Sequence, residues 1–95
     1  MRDYEVMTIH RPDLAEDDVQ AKVGELETYL AGQGASVDAR DLWGKRRFAY
    51  EIDHLSEGYY SVVSFQAEAA AVDSLDRMLS LADEVVRHKI VRKGA

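Results

Sequence analysis

The chain has 95 residues, of which 46% are hydrophobic and 32% charged, a composition typical of one soluble globular domain. It contains no cysteine, which excludes disulfides, thiolate catalysis and zinc–thiolate sites, and no apolar run approaches the roughly 20 residues that span a bilayer. The net charge of −6 at pH 7 argues against autonomous binding of nucleic acid, because phosphates require a positive surface.

The positive charge is concentrated in two short segments. Residues 45–47 are three consecutive cations, and residues 85–95 carry four basic side chains and no acidic one. Residues 1–39, by contrast, carry nine acidic and three basic side chains. A protein with its charges segregated in this way can bind RNA on one side and stay soluble through the other.

The first third of the chain predicts a strand followed by a helix. Residues 2–10 alternate between apolar and polar side chains, as a strand does, and Pro12 ends the run. Asp13 is expected to cap the helix, with Glu16 completing a capping-box-like pair. The helix ends near residues 32–34, where two glycines favour a left-handed conformation. Its apolar residues recur at helical spacing and form one predicted core stripe: Val19, Val23, Leu26 and Leu30.

The rest of the chain predicts four further elements and completes a known topology. They are one long strand over 37–52 bent at Gly44, a turn around 54–58 leading to a strand over 59–67, a helix over 69–82, and a strand over 85–92 with a frayed tail. The second helix is expected to bury Val72, Leu75, Leu79 and Met78. The order β-α-β-β-α-β predicts a single α+β, ferredoxin-like domain over residues 1–95. In that fold two helices cover one face of a four-stranded antiparallel sheet.

The sequence offers no convincing catalytic or metal site. The three histidines, His10, His54 and His88, have no metal-ligand spacing, and most carboxylates fall on helix faces where solvated surface is their ordinary role. A Gly-rich phosphate loop and a G-x-S-x-G turn are both missing from the sequence. The acylphosphate hydrolases of this fold use an asparagine, and this chain has none. We therefore expect no enzyme activity, no metal and no cofactor.

The most informative segment is 42–50, in which the three cations Lys45, Arg46 and Arg47 are flanked by aromatic residues. Adjacent cations repel one another unless an anion offsets them, and aromatic rings offer surfaces on which bases or guanidinium groups stack. The alternative is that the aromatic residues belong to the core and the cations are merely solvated. The two interpretations are equally supported at this point. In a strand, Lys45 and Arg47 share one face and Arg46 lies on the other.

Two other strands carry candidate binding residues. Arg87 and Lys89 share a strand face with Val91, where they flank an open sheet face or, alternatively, protect a sheet edge against aggregation. The segment 57–65 weakly matches the third strand of RNA-recognition-motif domains. Within it, Tyr60 lies either on the open sheet face or, as we favour, in half-buried packing.

Five segments, in this order and at matching spacing, carry a resemblance that covers nearly the whole chain. They are Met1–Val6, Pro12–Leu14, Trp43–Ile52, Gly58–Tyr60 and Leu81–Arg92. Together they resemble the family of ribosomal protein six of the bacterial small subunit. The resemblance implies the ferredoxin-like fold and binding to the central domain of 16S ribosomal RNA jointly with ribosomal protein eighteen. It also implies a structural role in subunit assembly and translation, within the cytoplasmic ribosome, with no membrane or small-molecule partner.

The resemblance also implies roles for individual residues. The RNA contacts that it implies are Arg2, Tyr4, Arg46, Arg47, Arg87 and Arg92, and we add Lys89 because it shares a strand face with Arg87. The expected contacts with the partner protein lie around the exposed side of the long second strand and are Trp43, Lys45 and Tyr60. Two positions depart from the family pattern, since Glu51 replaces a common proline and His88 a common apolar residue.

A second interpretation stays open from the residues alone. A ferredoxin-like domain can also serve as a regulatory or small-molecule-binding module that dimerises through its sheet edges. The two interpretations differ in salt dependence, because only binding to phosphates weakens steeply as salt rises.

Overall fold

The computed structural model describes residues 1–94 and contains four strands and two helices in the predicted order. The elements are β1 Arg2–His10, α1 Glu16–Gly32, β2 Ser36–Ile52, β3 Leu55–Ala67, α2 Ala69–Leu81 and β4 Val85–Arg92. The strands form one antiparallel sheet in the order β2-β3-β1-β4. The α+β, ferredoxin-like prediction is confirmed. Neither helix in the described part of the chain has the length and apolar character needed to cross a membrane.

The two faces of the sheet have different environments. Val6 pairs with Val63, and Tyr4 pairs with Phe65, so these side chains point to the same face, which both helices cover. The residues that alternate with these along each strand, such as Met7, point to the other face, which we call the open face. This alternation decides which functional side chains can meet.

The core lies between the sheet and the two helices. The predicted α1 stripe is confirmed, because all four of its apolar residues are buried. In α2, Leu75 and Leu79 are buried as predicted, Val72 and Met78 are partly buried, and Ala71 is an additional buried residue. Burying one large aliphatic or aromatic side chain contributes about 1.5–3 kcal/mol, so each of these residues matters to the stability of a small domain.

The predicted capping box of α1 is wrong. The helix begins at Glu16, the N-cap position is Ala15, and no side chain caps it. The chain turns first, with the Leu14 amide donating to the Arg11 carbonyl at 3.4 Å, and Asp13 instead lies 3.8 Å from Arg11 Nε. The acidic residues of the first helical turn still interact favourably with the positive end of the helix dipole.

The predicted turn around 54–58 is also wrong, because β3 already begins at Leu55. Asp53 and His54 alone form the turn, with φ of 50° and 66°, the left-handed values of a tight two-residue hairpin. Gly58 therefore lies inside the strand rather than in a turn. A Cβ atom there would lie 2.7 Å from Ile9 Cγ2, so close approach to β1 explains the glycine.

The predicted bend in β2 is confirmed at Gly44. The pairing with β3 shifts register between Leu42 and Gly44, and Gly44 has φ +82°. The shift leaves Trp43 as the extra residue of a bulge. At the other end of the chain, the Lys93 amide donates to the Asp3 carbonyl at 2.8 Å, so the tail is not frayed at Lys93. Ala95, the last residue of the expected frayed tail, lies outside the described residues.

Candidate functional site

The two edge strands carry most of the candidate cations. β2 and β4 are the outer strands of the sheet, and each has one unpaired edge. Within residues 1–94, six cations on these strands form no ion pair with a carboxylate: Lys45, Arg46, Arg47, Arg87, Lys89 and Arg92. All six are exposed, so all six can reach an anion outside the protein.

Arg40 is the exception among the cations of β2, because it is paired within the protein. Its Nε donates to Glu27 Oε2 of α1 at 3.1 Å, and a second guanidinium nitrogen contacts Glu27 Oε1. This hydrogen bonding to Glu27 raises the pKa of Arg40. Arg40 therefore fastens α1 to the edge strand rather than forming part of a binding surface.

Three of the expected RNA contacts lie at one end of the sheet, on the side of the helices. Arg2 and Tyr4 follow each other on one face of β1, and Tyr4 pairs with Arg92 of β4. Both arginines are exposed. The Tyr4 ring is half-buried and stacks on Phe65, with ring centroids 5.7 Å apart, so much of its side chain packs against the core.

The other expected RNA contacts lie farther along the sheet. Arg87 pairs with Ile9 on the open face, and Arg46 pairs with Gly58 on the same face. Arg47 pairs with Glu57 and therefore lies on the opposite face from Arg46, as predicted. β1 rises about 3.4 Å per residue, so its two ends are roughly 27 Å apart. The structure thus divides the expected RNA contacts into two groups rather than bringing them to one point.

An aromatic cluster occupies the open face beside the bulge. Trp43 stacks on Tyr60 with centroids 6.0 Å apart and planes 8° apart, and Phe48 meets the edge of Tyr60 at 6.1 Å. Trp43 Nε1 donates to Asp41 Oδ2 at 3.0 Å, and the Arg46 guanidinium lies 5.9 Å from the Trp43 ring centroid. The Trp43 side chain is therefore oriented by three separate contacts while 43% of it stays exposed.

The expected partner-protein contacts are brought together only in part. Trp43 and Tyr60 lie side by side on the open face, where Tyr60 is half-buried, so both interpretations of Tyr60 are correct. Lys45 points to the other face of the sheet and lies over the Tyr59 ring, with Nζ 5.1 Å from the ring centroid. Lys45 therefore belongs to the helix side of the sheet.

A depression of about 320 Å³ lies beside this cluster and crosses all four strands, and we call it the open-face depression. It is lined by three aliphatic side chains, one aromatic and three charged ones: Met7, Val62, Val91, Trp43, Glu5, Asp41 and Lys89. It was not predicted from the sequence. The alternation of Glu5 with Met7 along β1 and of Asp41 with Trp43 along β2 could have indicated side chains that line it.

Two histidines, His10 and His88, lie in surroundings that the fold defines. His10 is 2% exposed, and its Nδ1 has no hydrogen-bond partner within the described residues. Burial lowers the pKa of His10, an effect that nearby Lys22 reinforces and Glu84 opposes. His88, in the position where the family commonly has an apolar residue, is hydrogen-bonded from Nε2 to Asp76 Oδ1 of α2 at 2.7 Å.

Comparison with known proteins shows which family the chain resembles. A family model described as ribosomal protein S6 matches residues 3–92. Small ribosomal subunit protein bS6 of Desulforamulus reducens is 45% identical over 94 residues, covering 99% of each protein. The bS6 protein of Symbiobacterium thermophilum is 47% identical over 92 residues, covering 97% of each.

A solved structure agrees with these relatives. The crystal structure of 30S ribosomal protein S6 from Thermotoga maritima superimposes with a TM-score of 0.92 at 27% identity. The match covers 97% of this chain and 87% of the other. These likenesses favour the ribosomal interpretation over a regulatory small-molecule module. The chain belongs to the ribosomal protein S6 family of the small ribosomal subunit and is a structural component of the ribosome rather than an enzyme.

Proposed function

We propose that this protein binds the central domain of 16S ribosomal RNA jointly with ribosomal protein eighteen, and supports subunit assembly in the cytoplasm. The observation that carries the proposal is the set of six exposed cations on β2 and β4 that have no carboxylate partner within residues 1–94. In a chain of net charge −6, many carboxylates were available to pair with them. Cations left unpaired on two edge strands are suited to phosphates.

Two groups of residues would make the RNA contacts. One group is Arg2 and Arg92 at the first end of β1, beside the half-buried Tyr4. The second group is Arg46, Arg47 and Arg87 toward the other end of the sheet, with Lys89 further along the same strand as Arg87. Two separated groups suit an RNA that folds around the domain better than a single short helix.

The need for a partner follows from the overall charge. A net charge of −6 repels phosphates at long range, and only short-range contacts with the exposed arginines oppose that repulsion. A basic partner protein would offset the repulsion and extend the positive surface. The chain therefore acts as one half of a joint RNA-binding unit.

Arg87→Ala tests the role of the cations on β4. We expect this variant, mixed with ribosomal protein eighteen, to bind a central-domain RNA fragment several-fold more weakly, because it loses one exposed cation. The slope of log affinity against log salt should fall by about 0.9, the contribution of one phosphate contact. Filter binding across a salt series measures both quantities.

Arg77→Ala is the matched control. Arg77 is an exposed arginine that has no ion pair within residues 1–94, and it lies on the helix α2 rather than on an edge strand. Its removal should leave both affinity and slope unchanged. If Arg87→Ala binds like the wild type, or if it unfolds in circular dichroism, the role assigned to Arg87 is wrong.

A further inference from the structure

We propose that the His10 corner of the domain is a pH-sensitive switch, in which protonation of His10 separates the start of β4 from the end of β1. The name His10 corner denotes the region where the end of β1 meets the middle of α1 and residues 82–85, which join α2 to β4. The inference goes beyond the proposed function, because the switch requires neither RNA nor a partner protein. It assigns a role to a buried histidine that lies in none of the candidate binding surfaces.

His10 is enclosed on the helix side of the sheet in a form that suits the neutral imidazole. Its side chain lies among residues of both helices, and only 2% of the residue is exposed. Within residues 1–94 its Nδ1 has no hydrogen-bond partner. A proton on this imidazole would therefore create a buried charge without an acceptor at Nδ1.

The ionisable groups that face His10 come from three elements. Lys22 and Glu25 come from α1, Glu84 comes from the turn before β4, and Tyr59 of β3 pairs with His10 in the sheet. The side chains that α2 contributes to the cleft beside His10 are apolar. Lys22 Nζ lies 3.5 Å from Glu25 Oε2 and 4.0 Å from Glu84 Oε1, so both carboxylates already share one ammonium group. A protonated His10 would compete with Lys22 for Glu84.

A cleft of about 90 Å³ beside His10 gives water a short path to the imidazole. One water molecule occupies about 30 Å³ in the liquid, so the cleft is large enough to admit water. A small movement of the charged rim would bring solvent to His10 without unfolding the domain. The walls of the cleft are mostly apolar and are formed by Leu26, Met78, Leu79, Ala82 and Val85.

The pairing of β1 with β4 is irregular at this corner. The register shifts between Ile9 and His10, which leaves an extra residue in β4. Just beyond the shift, the Arg11 amide donates to the Glu84 carbonyl oxygen at 2.9 Å. Local opening is favoured where a strand pair is irregular and close to its end. Arg87 follows shortly after in β4, so opening here affects a strand that we assign to RNA.

The direction of the switch follows from the two states of His10. Burial lowers the pKa of His10 from its ordinary value of 6.5, Glu84 opposes this effect and Lys22 adds to it. In the open state the imidazole is in water and binds a proton with its ordinary pKa, whereas the closed state resists the proton. The open population therefore rises as the pH is lowered. Between pH 7.5 and pH 5.5 this rise is at most about tenfold.

Amide hydrogen exchange, measured by NMR on the isotope-labelled full chain, tests the proposal. The Arg11 amide reports on the corner, because it donates to Glu84. The Lys93 amide is the matched reporter, because it donates to the Asp3 carbonyl oxygen at 2.8 Å at the opposite end of the same strand pair. Each rate is divided by the intrinsic rate at that pH. From pH 7.5 to pH 5.5 we expect Arg11 protection to fall about fivefold to tenfold, and Lys93 protection to fall less than about twofold.

Two variants identify the titrating group. His10→Phe cannot bind a proton, so its Arg11 protection should change less than about twofold over the same range. His88→Gln is the control, because His88 is the histidine of β4 and contacts Asp76 of α2 rather than the cleft. The control should keep the pH dependence of the wild type. The two reporters in the unaltered protein decide the test even if a variant does not fold.

The outcomes are distinct. A loss of protection at Arg11 that spares Lys93 supports the switch, and its disappearance in His10→Phe assigns it to His10. Protection of Arg11 that does not depend on pH overturns the proposal. So does an equal loss at both reporters, because the opening would then involve the whole strand pair, and so does a loss at Arg11 that persists in His10→Phe.

Discussion

At the scale of single residues, the space around Gly58 limits what the sheet can accept. A Cβ atom at this position would lie 2.7 Å from Ile9 Cγ2 and 2.9 Å from the His10 carbonyl oxygen. The second of these atoms is backbone, which cannot rotate away. β1 and β3 therefore approach each other so closely at this point that only glycine fits.

Gly58→Ala should destabilise the protein by about 1–3 kcal/mol, the usual cost of overpacking. Gly32→Ala is the matched control, because nothing lies within 4 Å of a Cβ atom there and the position is helical. Alanine in a helix is preferred over glycine, so the control should be neutral or slightly stabilising. Urea unfolding of both variants measures the difference. Equal stability of the two variants would contradict the close approach of β1 and β3.

His10 gives the stability a component that depends on pH. Its pKa in the folded state is lowered by burial, from an ordinary value of 6.5. As the pH falls below that value, the unfolded chain binds a proton that the folded chain resists. The free energy of unfolding therefore decreases as the pH is lowered. Each unit of difference between the folded and unfolded pKa of His10 corresponds to about 1.4 kcal/mol.

His10→Phe replaces the titrating imidazole with a ring that cannot bind a proton and that leaves no large void at this buried position. Between pH 7.5 and pH 5.5, the wild type should lose more of its free energy of unfolding than the variant does. Urea unfolding at several pH values in this range measures the two slopes, and pH 8 serves as the reference at which the histidine is neutral in both states. Parallel pH dependence of the two proteins would show that His10 does not titrate as described.

At the scale of elements, the bulge in β2 determines what the open face displays. Gly44 adopts φ +82° with nothing within 4 Å of a Cβ position, so its glycine is required by backbone conformation rather than by space. Trp43 is the extra residue of the bulge and stacks on Tyr60 on the open face. A regular strand would have continued the alternation and placed the cations that follow on the opposite faces.

Gly44→Ala should destabilise the protein by about 1–2 kcal/mol, because L-residues are strained in the left-handed region. It should also change the emission of Trp43, the single tryptophan of the chain. Gly34→Ala is the control, since Gly34 has φ +84° and equally open surroundings at the end of α1. The control should lose similar stability without altering the tryptophan spectrum. A Gly44→Ala variant with unchanged emission would contradict the link between the bulge and Trp43.

The elements also show how far the sequence could predict this structure. Strict alternation in β4 correctly placed Arg87 and Lys89 on one face. Alternation alone could not assign the cations after Gly44 to a face of the sheet, because the inserted residue shifts their pairing with β3. The capping of α1 was mispredicted because the helix begins only at Glu16, so Asp13 lies two residues before the N-cap position Ala15. Element order is therefore readable from the sequence, whereas the composition of the open face depends on long-range pairing.

At the scale of the whole molecule, acidic and basic side chains have separate tasks. Acidic residues are abundant on α1 and in the loops, while the unpaired cations of β2 and β4 lie along the two edges of the sheet. Charged edges also discourage these strands from pairing with another sheet. The separation leaves a net negative protein with unpaired cations along both edges of its sheet.

The central claim is that the chain binds RNA as half of a joint unit. It is tested most directly by measuring the affinity of a central-domain RNA fragment for this protein alone, for ribosomal protein eighteen alone, and for the two together, across a salt series. We expect the pair to bind at least tenfold more tightly than either protein alone, with affinity falling steeply as salt rises. Tight binding by this chain alone, or binding by the pair that ignores salt, would contradict the account.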